Sequence, residues 1–596
     1  MNVLGIYDGH NANAALIVNG KVIKVVEEER FSRIKNHDAR ILSNAAPIES
    51  VKFCIDGIDK IDMIALALDE PETLSFKSYK SFFDDIQGNI KRKDRVKFLS
   101  ENNGSFRTKF AGIPSGMFHA FPGVTQQNRI DKIKLMLIEL GLSNIPIRFV
   151  NHHVAHHASA YFTAIKNEGV SFSLDGKGDD LSGMVCVCND GAIDVLHEQY
   201  YVNSIGHFYS AITVALGFKA VRHEGKITGL AAYGNVNTSL IGEFRNLFEV
   251  NKQGEIISKM ADDLVIGPYP HTNFKGYLDK ISSLCDGYTK EDVAATAQYL
   301  LEEIVCEWVR FWIEKTGSEN IFLSGGVFAN VKLNQRIYEL DNVKYIYIHP
   351  GMSDAGLGVG AALYAYNEYR ESLGIEFKVN KYNNMYFGPS FDNDDILKAL
   401  EKSKVSYHFS ENLEYDVAKS LSEGKVVARF LGAMEYGPRS LGHRSVLCAT
   451  NDKNVNDWLN KRFNRTEFMP FAPATLFELA EKYYINKKGN DYYHASKFMT
   501  ITCDCTDLMK EHSPAVVHID GTARPQLVSE EDDKSYYHII KHYYDITGVG
   551  SIINTSFNMH EEPIVCTPEE AINSFIESRL DILAIGDYIA VINDNK

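Results

Sequence analysis

Apolar residues open the chain in short runs separated by polar turns. Val3-Leu-Gly-Ile-Tyr leads into Asp8-Gly-His-Asn-Ala-Asn, a second run covers Ala14 to Val18, and Asn19-Gly20 separates it from Lys21-Val-Ile-Lys-Val-Val. Asn-Gly between two such runs is a strong hairpin signal, so the segment predicts three strands in a meander with a polar loop after the first. The pattern recurs from Gly169, where an apolar run reaches Asp175-Gly176 and another follows through Met184-Val-Cys-Val-Cys. Two copies of one structural unit are expected. From Asp292 to Lys315 the apolar period lengthens to that of a helix, which leads into Asn320-Ile-Phe-Leu-Ser and Gly325-Gly326. Strand, glycine turn and helix in that order suit a nucleotide cleft. A similar passage follows Tyr345-Ile-Tyr-Ile, where Met352-Ser-Asp354 enters a helix of small residues. The stretch from Tyr369 to Gly388 turns charged and polar, which sets a domain boundary near residue 380 and divides the chain into 1–380 and 381–596. The fold class is mixed α/β.

A chain of 596 residues exceeds what one core supports, in line with two domains. Its 45% hydrophobic and 23% charged residues predict order nearly throughout. The net charge of −16 argues against a nucleic-acid partner, so an anionic ligand has to be met by local basic clusters. Nine scattered cysteines without a C-x-x-C pair read as reduced structural thiols; Cys186 with Cys188 and Cys503 with Cys505 each share a strand face, where a soft metal site is the weaker alternative. The N-terminus carries no signal-peptide pattern and no long apolar run follows, which predicts a cytoplasmic protein with no membrane partner.

Candidate chemistry gathers at a few places. Asn151-His-His-Val-Ala-His-His reads as a helix start, and residues four apart share a face, so His152 with His156 or His153 with His157 could clamp a metal ion. Capping and packing histidines are the alternative. Asp175 and Asp354, each at the end of an apolar strand, could complete the ligand set. Asp8, His10, Asn11 and Asn13 occupy the first turn, whose amides could face a phosphate or acyl oxygen; His10 there could take a proton from an alcohol, or be a structural turn residue. Ser324-Gly325-Gly326 through Asn330 permits close approach to a nucleotide. In the second half Arg439, Arg444, Arg462, Arg465 and Arg524 lie in turns rich in glycine, proline and serine, near Asn554-Thr-Ser556. Guanidinium groups bind phosphate bidentately, so a phosphate pocket is expected in preference to surface ion pairing.

Taken in order, Glu28-Glu-Arg-Phe-Ser-Arg33, His152-His-Val-Ala-His156, Gly225-Lys-Ile-Thr-Gly-Leu-Ala-Ala-Tyr-Gly234, Ser324 to Asn330, Asp354-Ala-Gly356, Gly437-Pro-Arg-Ser-Leu-Gly-His-Arg444, Pro470-Phe-Ala-Pro473, Gly521 to Gln526 and Asn554 to Asn558 resemble the O-carbamoyltransferase family of nodulation-factor and antibiotic biosynthesis. The resemblance implies an N-terminal duplicated, actin-like domain of the threonylcarbamoyl-transferase type and a C-terminal YrdC-like domain. It implies that carbamoyl phosphate and ATP yield carbamoyl-adenylate, whose carbamoyl group passes to the hydroxyl of a small-molecule acceptor. It places a divalent metal, iron by family expectation with magnesium or manganese as alternatives, on His152, His156, Asp175 and Asp354. His10 would activate the acceptor, with Asp354, Arg439 and Arg524 as further catalytic residues. Asp175, Gly176, Gly325, Gly326, Asn330, Arg439, Arg444, Arg465, Arg524 and Ser556 would bind nucleotide or substrate. Asn11 and Phe463-Asn464 depart from the family, which usually has aspartate after the histidine and a lysine near the latter pair; Lys461 or Arg462 would supply that charge. An acceptor pocket is expected over the loops Ser105–Thr125 and Ser204–Lys219, with Phe118, Phe121, Phe208 and Tyr209 stacking on the acceptor or packing in the core. A tRNA-modifying threonylcarbamoyl transferase and a non-catalytic nucleotide-binding homologue are the competing readings. A monomer and a homodimer are both compatible with this sequence.

Overall fold

The computed structural model describes residues 1–40, 46–69, 122–261, 274–463, 470–486, 488 and 491–593. The opening meander forms as expected: β1 (Asn2–Tyr7), β2 (Asn13–Val18) and β3 (Lys21–Glu27) are antiparallel neighbours. On the other side of β1, β4 (Met63–Ala67) and β5 (Ile147–Val150) run parallel to it, giving the order β3-β2-β1-β4-β5. The second unit has β6 (Glu168–Gly178), β7 (Leu181–Asn189) and β8 (Ala192–Tyr200) as its meander. A small hairpin, β9 (Phe248–Val250) with β10 (Ile256–Ser258), precedes β11 (Asn320–Ser324) and β12 (Tyr345–Ile348). The order β8-β7-β6-β11-β12, with antiparallel pairs on one side of β6 and parallel pairs on the other, repeats the first sheet strand for strand. Pairing geometry thus establishes the duplication that sequence similarity only suggested, and with it the actin-like arrangement.

Each unit ends in a helix after its last strand, His152–Tyr161 in the first and Leu357–Ser372 in the second. These two helices pack against each other. Small residues make the contact tight: a methyl group added at Gly360 would lie 1.8 Å from the Ala155 carbonyl oxygen, and one at Gly5 of β1 would lie 1.9 Å from the Gly358 oxygen. Any larger side chain at these positions would force the elements apart. The long helix Lys290–Thr316, capped by the Thr289 hydroxyl and ended by Gly317 in the left-handed region, covers the second sheet with Trp308 packed edge-on to Phe172.

The C-terminal half is built on one mixed sheet. β13 (Val405–Phe409), β14 (Val427–Phe430), β15 (Arg444–Cys448) and β16 (Ala472–Leu476) come first. A two-stranded ladder of β17 (Cys503–Asp504) and β18 (Thr522–Ala523) follows, then β19 (Gln526–Val528), β20 (Ser551–Ser556), β21 (Ile582–Ile585) and β22 (Tyr588–Ile592). Their order is β13-β22-β21-β14-β15-β20-β16-β19. Cys186, Cys188, Cys503 and Cys505 are all buried, and no disulfide occurs among the described residues. Among the described residues no helix is long and apolar enough to cross a membrane.

Candidate functional site

The helix His152–Tyr161 starts where Asn151 caps it, the side-chain oxygen accepting from His153 N at 2.9 Å and Val154 N at 3.2 Å. The two histidine pairs then part company. His153 and His157 turn to β6, with Nδ1 of each against the hydroxyl of Ser173 (2.9 Å) and Ser171 (2.7 Å). They are packing residues. His152 and His156 face the opposite way, and their Nε2 atoms are buried with no hydrogen-bond partner.

What those two nitrogens face is carboxylate oxygen. His156 Nε2 lies 3.4 Å from Asp175 Oδ2 and 3.7 Å from Asp354 Oδ1, and His152 Nε2 lies 3.7 Å from Asp354 Oδ1. One ligand atom from each of the four residues lies within 4.8 Å of the others. Bonds of about 2.1 Å to a common ion put neighbouring ligand atoms about 3.0–3.4 Å apart and opposite ones about 4.2 Å apart, so the quartet is close to the spacing a shared cation requires. Orientation is fixed from behind. His156 Nδ1 meets Ser324 Oγ at 3.0 Å, and Ser324 itself reaches the Met352 carbonyl at 3.2 Å. Burial holds His152 down to about 4, so it is a neutral nitrogen donor. Burial also opposes charge on His156, but the adjacent Asp175 and Asp354 carboxylates outweigh it and raise this histidine to about 9. Burial opposes ionisation of Asp354, yet His152, His156 and Tyr7 keep it well below the usual carboxylate range. The site therefore has negative charge directed at a pair of ring nitrogens, and a divalent cation fits it.

Strand endings place the two aspartates. Asp175 sits where the β6–β7 register slips between Leu174 and Gly178, and such a bulge re-aims its side chain; Oδ1 accepts from Gly176 N at 2.8 Å and Oδ2 from Gly326 N at 3.2 Å. Asp354 begins the short turn Asp354–Gly356 ahead of the helix Leu357–Ser372. Tyr7, at the end of β1, donates to Asp354 Oδ2 at 2.6 Å, and Asn13, at the start of β2, donates to the Asp354 carbonyl at 2.9 Å. The first turn is thereby tied to the quartet. Asn11 donates to Ser353 Oγ at 3.2 Å, and His10 lies on the same turn with Nε2 buried and without a hydrogen-bond partner. The Asp8 carboxylate is engaged within the fold. Arg129 grips it bidentately at 2.6 and 3.0 Å.

Several nucleotide-cleft candidates prove to be builders of the site. Gly325 (φ +104°) brings its backbone against Leu174, and Gly326 holds Asp175. Asn330 caps the helix Val331–Tyr338 through Leu333 N and exchanges amide hydrogen bonds with Gln298. Phe208 packs edge-on to Phe244 and Phe248, and the Tyr209 hydroxyl donates to Gln298, so both belong to the core and not to an acceptor surface. His207, unremarked in the sequence, is the ring that approaches Gly176. Phe118, Phe121 and Arg465 lie outside the described residues.

The turns of the second half converge through strand order. β15 runs antiparallel to β20, β20 antiparallel to β16, and β16 parallel to β19. The starts of β15, β16 and β19 and the end of β20 thus share one edge, with Phe471 just before β16, Arg524 just before β19 and Ser556 closing β20, and the Arg439 turn reaches it through Ser440. Asn554 donates to the Ser440 carbonyl at 3.2 Å and to Gln526 at 2.7 Å, and Gln526 donates to the Leu441 carbonyl at 2.7 Å. Glu435 accepts from the backbone N–H groups of Leu441, His443 and Arg444 at 2.7–3.0 Å. Arg444 departs from the expected role. It is fully buried, stacks on Phe430 at 3.7 Å and donates to the carbonyls of Leu431, Gly432, His443 and Pro389, so it shapes the loop from beneath. Arg462 is likewise engaged, stacked on Trp458 and donating to the carbonyls of Ser578 and Arg579, while Lys461 is exposed.

With this geometry in place the comparisons are direct. Residues 2–363 match the family model for the carbamoyltransferase N-terminus and residues 418–591 that for the carbamoyltransferase C-terminus. A relative in Methanocaldococcus jannaschii, the uncharacterized protein MJ1058, is 30% identical with 99% of each chain covered. Nodulation protein NolNO of Sinorhizobium fredii is 28% identical over 97% of this chain and 78% of its own length, and nodulation protein U of Rhizobium tropici is 24% identical over 94% and 91%. The paired histidines, the two strand-end aspartates and the arginine turns all lie inside the matched regions, and the chain belongs to the carbamoyltransferase family.

Proposed function

We propose that this enzyme uses carbamoyl phosphate and ATP to carbamoylate the hydroxyl of a small molecule, through carbamoyl-adenylate. The division of labour follows the two halves, with adenylate synthesis in 381–596 and transfer in 1–380. In the first half-reaction carbamoyl phosphate loses its phosphoryl group to water, and the carbamate oxygen attacks the α-phosphorus of ATP and expels pyrophosphate. Arg439 and Arg524 supply the cationic edge that holds these phosphates, with Ser556 beside them. In the second, the acceptor oxygen attacks the carbamoyl carbon, AMP leaves with the bridging oxygen, and His10 takes the hydroxyl proton. His152, His156, Asp175 and Asp354 would hold a divalent ion, with iron favoured and magnesium or manganese compatible; when bound it supplies positive charge opposite the departing phosphate.

The observation that carries this reading is the quartet within 4.8 Å, whose two histidine nitrogens, borne on the helix His152–Tyr161, face Asp354 on the turn to which His10's loop is tied. The negative balance of the chain favours a small acceptor over tRNA. A test incubates the protein with labelled carbamoyl phosphate, ATP, a divalent metal and a panel of hydroxylated metabolites. Pyrophosphate release should require carbamoyl phosphate, and AMP release should rise with the true acceptor. Asp354→Ala should cut transfer at least about 100-fold and leave pyrophosphate release within about twofold. Release of ADP alone, or equal loss of both half-reactions in the variant, would refute the scheme.

A further inference from the structure

The loop that carries Arg439 is fastened to the turn that carries Asp354 by side chains that no step of the proposed chemistry uses. Tyr436 is buried, and its hydroxyl donates to the carbonyl of Ala355, the residue after Asp354, at 3.1 Å, with His349 Nε2 3.0 Å away. His349 in turn meets the Thr163 hydroxyl at 3.1 Å, and Thr163 donates to the Ser159 carbonyl of the histidine helix at 2.6 Å. The seat is close-fitting, since a methyl group at Gly351 would lie 2.3 Å from the Tyr436 hydroxyl. One residue on, the Gly437 backbone is held at both of its polar atoms. Its N–H donates to Glu27 Oε1 at 2.9 Å, and its carbonyl accepts from Arg30 Nη2 at 2.9 Å. Glu27 and Arg30 pair with one another at 3.4 Å, both almost wholly buried. Glu27 also lies beside Asn13 in the β2–β3 register, and Asn13 is the residue that holds the Asp354 carbonyl.

Two half-sites are therefore joined within one short run of backbone. From Tyr436 to Arg439 the chain spans at most about 11 Å. Buried polar contacts are costly to break, so together they hold this separation. We infer that Tyr436, together with the Glu27–Arg30 pair, is a positioning device that keeps the arginine edge and the histidine–aspartate centre in register, so that carbamoyl-adenylate passes between them without escaping to bulk solvent. The inference rests on the two-step reading above and adds to it residues whose duty is retention of the intermediate.

Full-length wild type, Tyr436→Phe and Arg30→Lys are compared without acceptor, using carbamoyl-labelled carbamoyl phosphate and ATP. Pyrophosphate release reports synthesis, and rapid gel filtration reports how fast labelled carbamoyl-adenylate leaves the protein. Wild type should retain most of the label. In at least one variant that melts within a few degrees of wild type, synthesis should stay within about twofold while escape of label rises about tenfold or more. Escape unchanged in both variants, or synthesis lost in parallel with retention, would overturn the positioning role while leaving the two-step reading intact. Wild type that releases no pyrophosphate would remove that reading and this inference with it.

Discussion

Asp354 owes its placement to groups far away in sequence, and the most exacting of these is Tyr7. Its hydroxyl donates to Oδ2 at 2.6 Å, and its ring stands edge-on to His152 at 5.9 Å. Outer-shell donors of this kind fix which carboxylate oxygen a metal sees, and losing one weakens metal affinity about 10–100-fold. Tyr7→Phe keeps the ring contact and removes only the hydroxyl. Titration with Mn²⁺ should show binding weakened about tenfold, with the fold unchanged; equal affinity would reduce Tyr7 to a packing residue. The four residues of the quartet were visible in the sequence as two histidines at helical spacing and two acids at strand ends. Tyr7 was not, because a tyrosine ending an apolar strand looks like core until the other repeat brings Asp354 beside it. Spacing also left two histidine pairs open, and only the serines of β6 show which pair is structural.

At the scale of elements the strand endings decide where chemistry occurs, and glycine decides how closely they approach. Gly325 has φ +104° and ψ 151°, a region other residues enter only under strain, and a Cβ there would lie 2.4 Å from the Leu174 carbonyl oxygen. Neither backbone can yield without moving Gly326, whose N–H holds Asp175. Gly325→Ala should cost on the order of 3 kcal/mol and impair metal binding. Gly242, inside the helix Thr238–Arg245 with open space around it, provides the contrast: Gly242→Ala should be neutral or stabilising by up to about 1 kcal/mol. Urea unfolding of the pair checks both signs. The meanders, the glycine turn after β11 and the long helix were legible because period and turn residues specify them locally. The shared edge of β15, β20, β16 and β19 was not, since strand order depends on pairings between distant segments. For the same reason Arg444 read as a phosphate ligand although its guanidinium lies beneath the loop.

Across the whole molecule the two halves meet through buried contacts at Tyr436 and Arg30 and also through a more exposed patch around Glu561. This residue stands in the left-handed region (φ +63°) on the loop that follows β20. His223 Nε2 donates to it at 2.9 Å, Lys219 at 3.1 Å, and Arg222 lies 3.7 Å away. The Nδ1 of His223 accepts from Lys219 N, so Nε2 carries hydrogen and the bond does not require a charged imidazole. The hydrogen bond from His223, joined by the hydrogen bond and charge of Lys219 and the charge of His223, outweighs the opposing effect of burial and holds the Glu561 carboxyl down at about 2. A depressed carboxyl adds stability that is fully present above its unfolded value of about 4.5 and disappears as pH falls through that value toward 2. With the side chain one-third exposed, solvent screening limits the contribution to about 0.5 kcal/mol. Glu561→Gln should therefore lower the unfolding free energy slightly at pH 6, and the gap from wild type should narrow as pH falls from 4.5 toward 3. Added salt should narrow it at pH 6 as well. A gap of the same size at pH 6 and pH 3 would show that the contact between halves does not draw on the Glu561 charge.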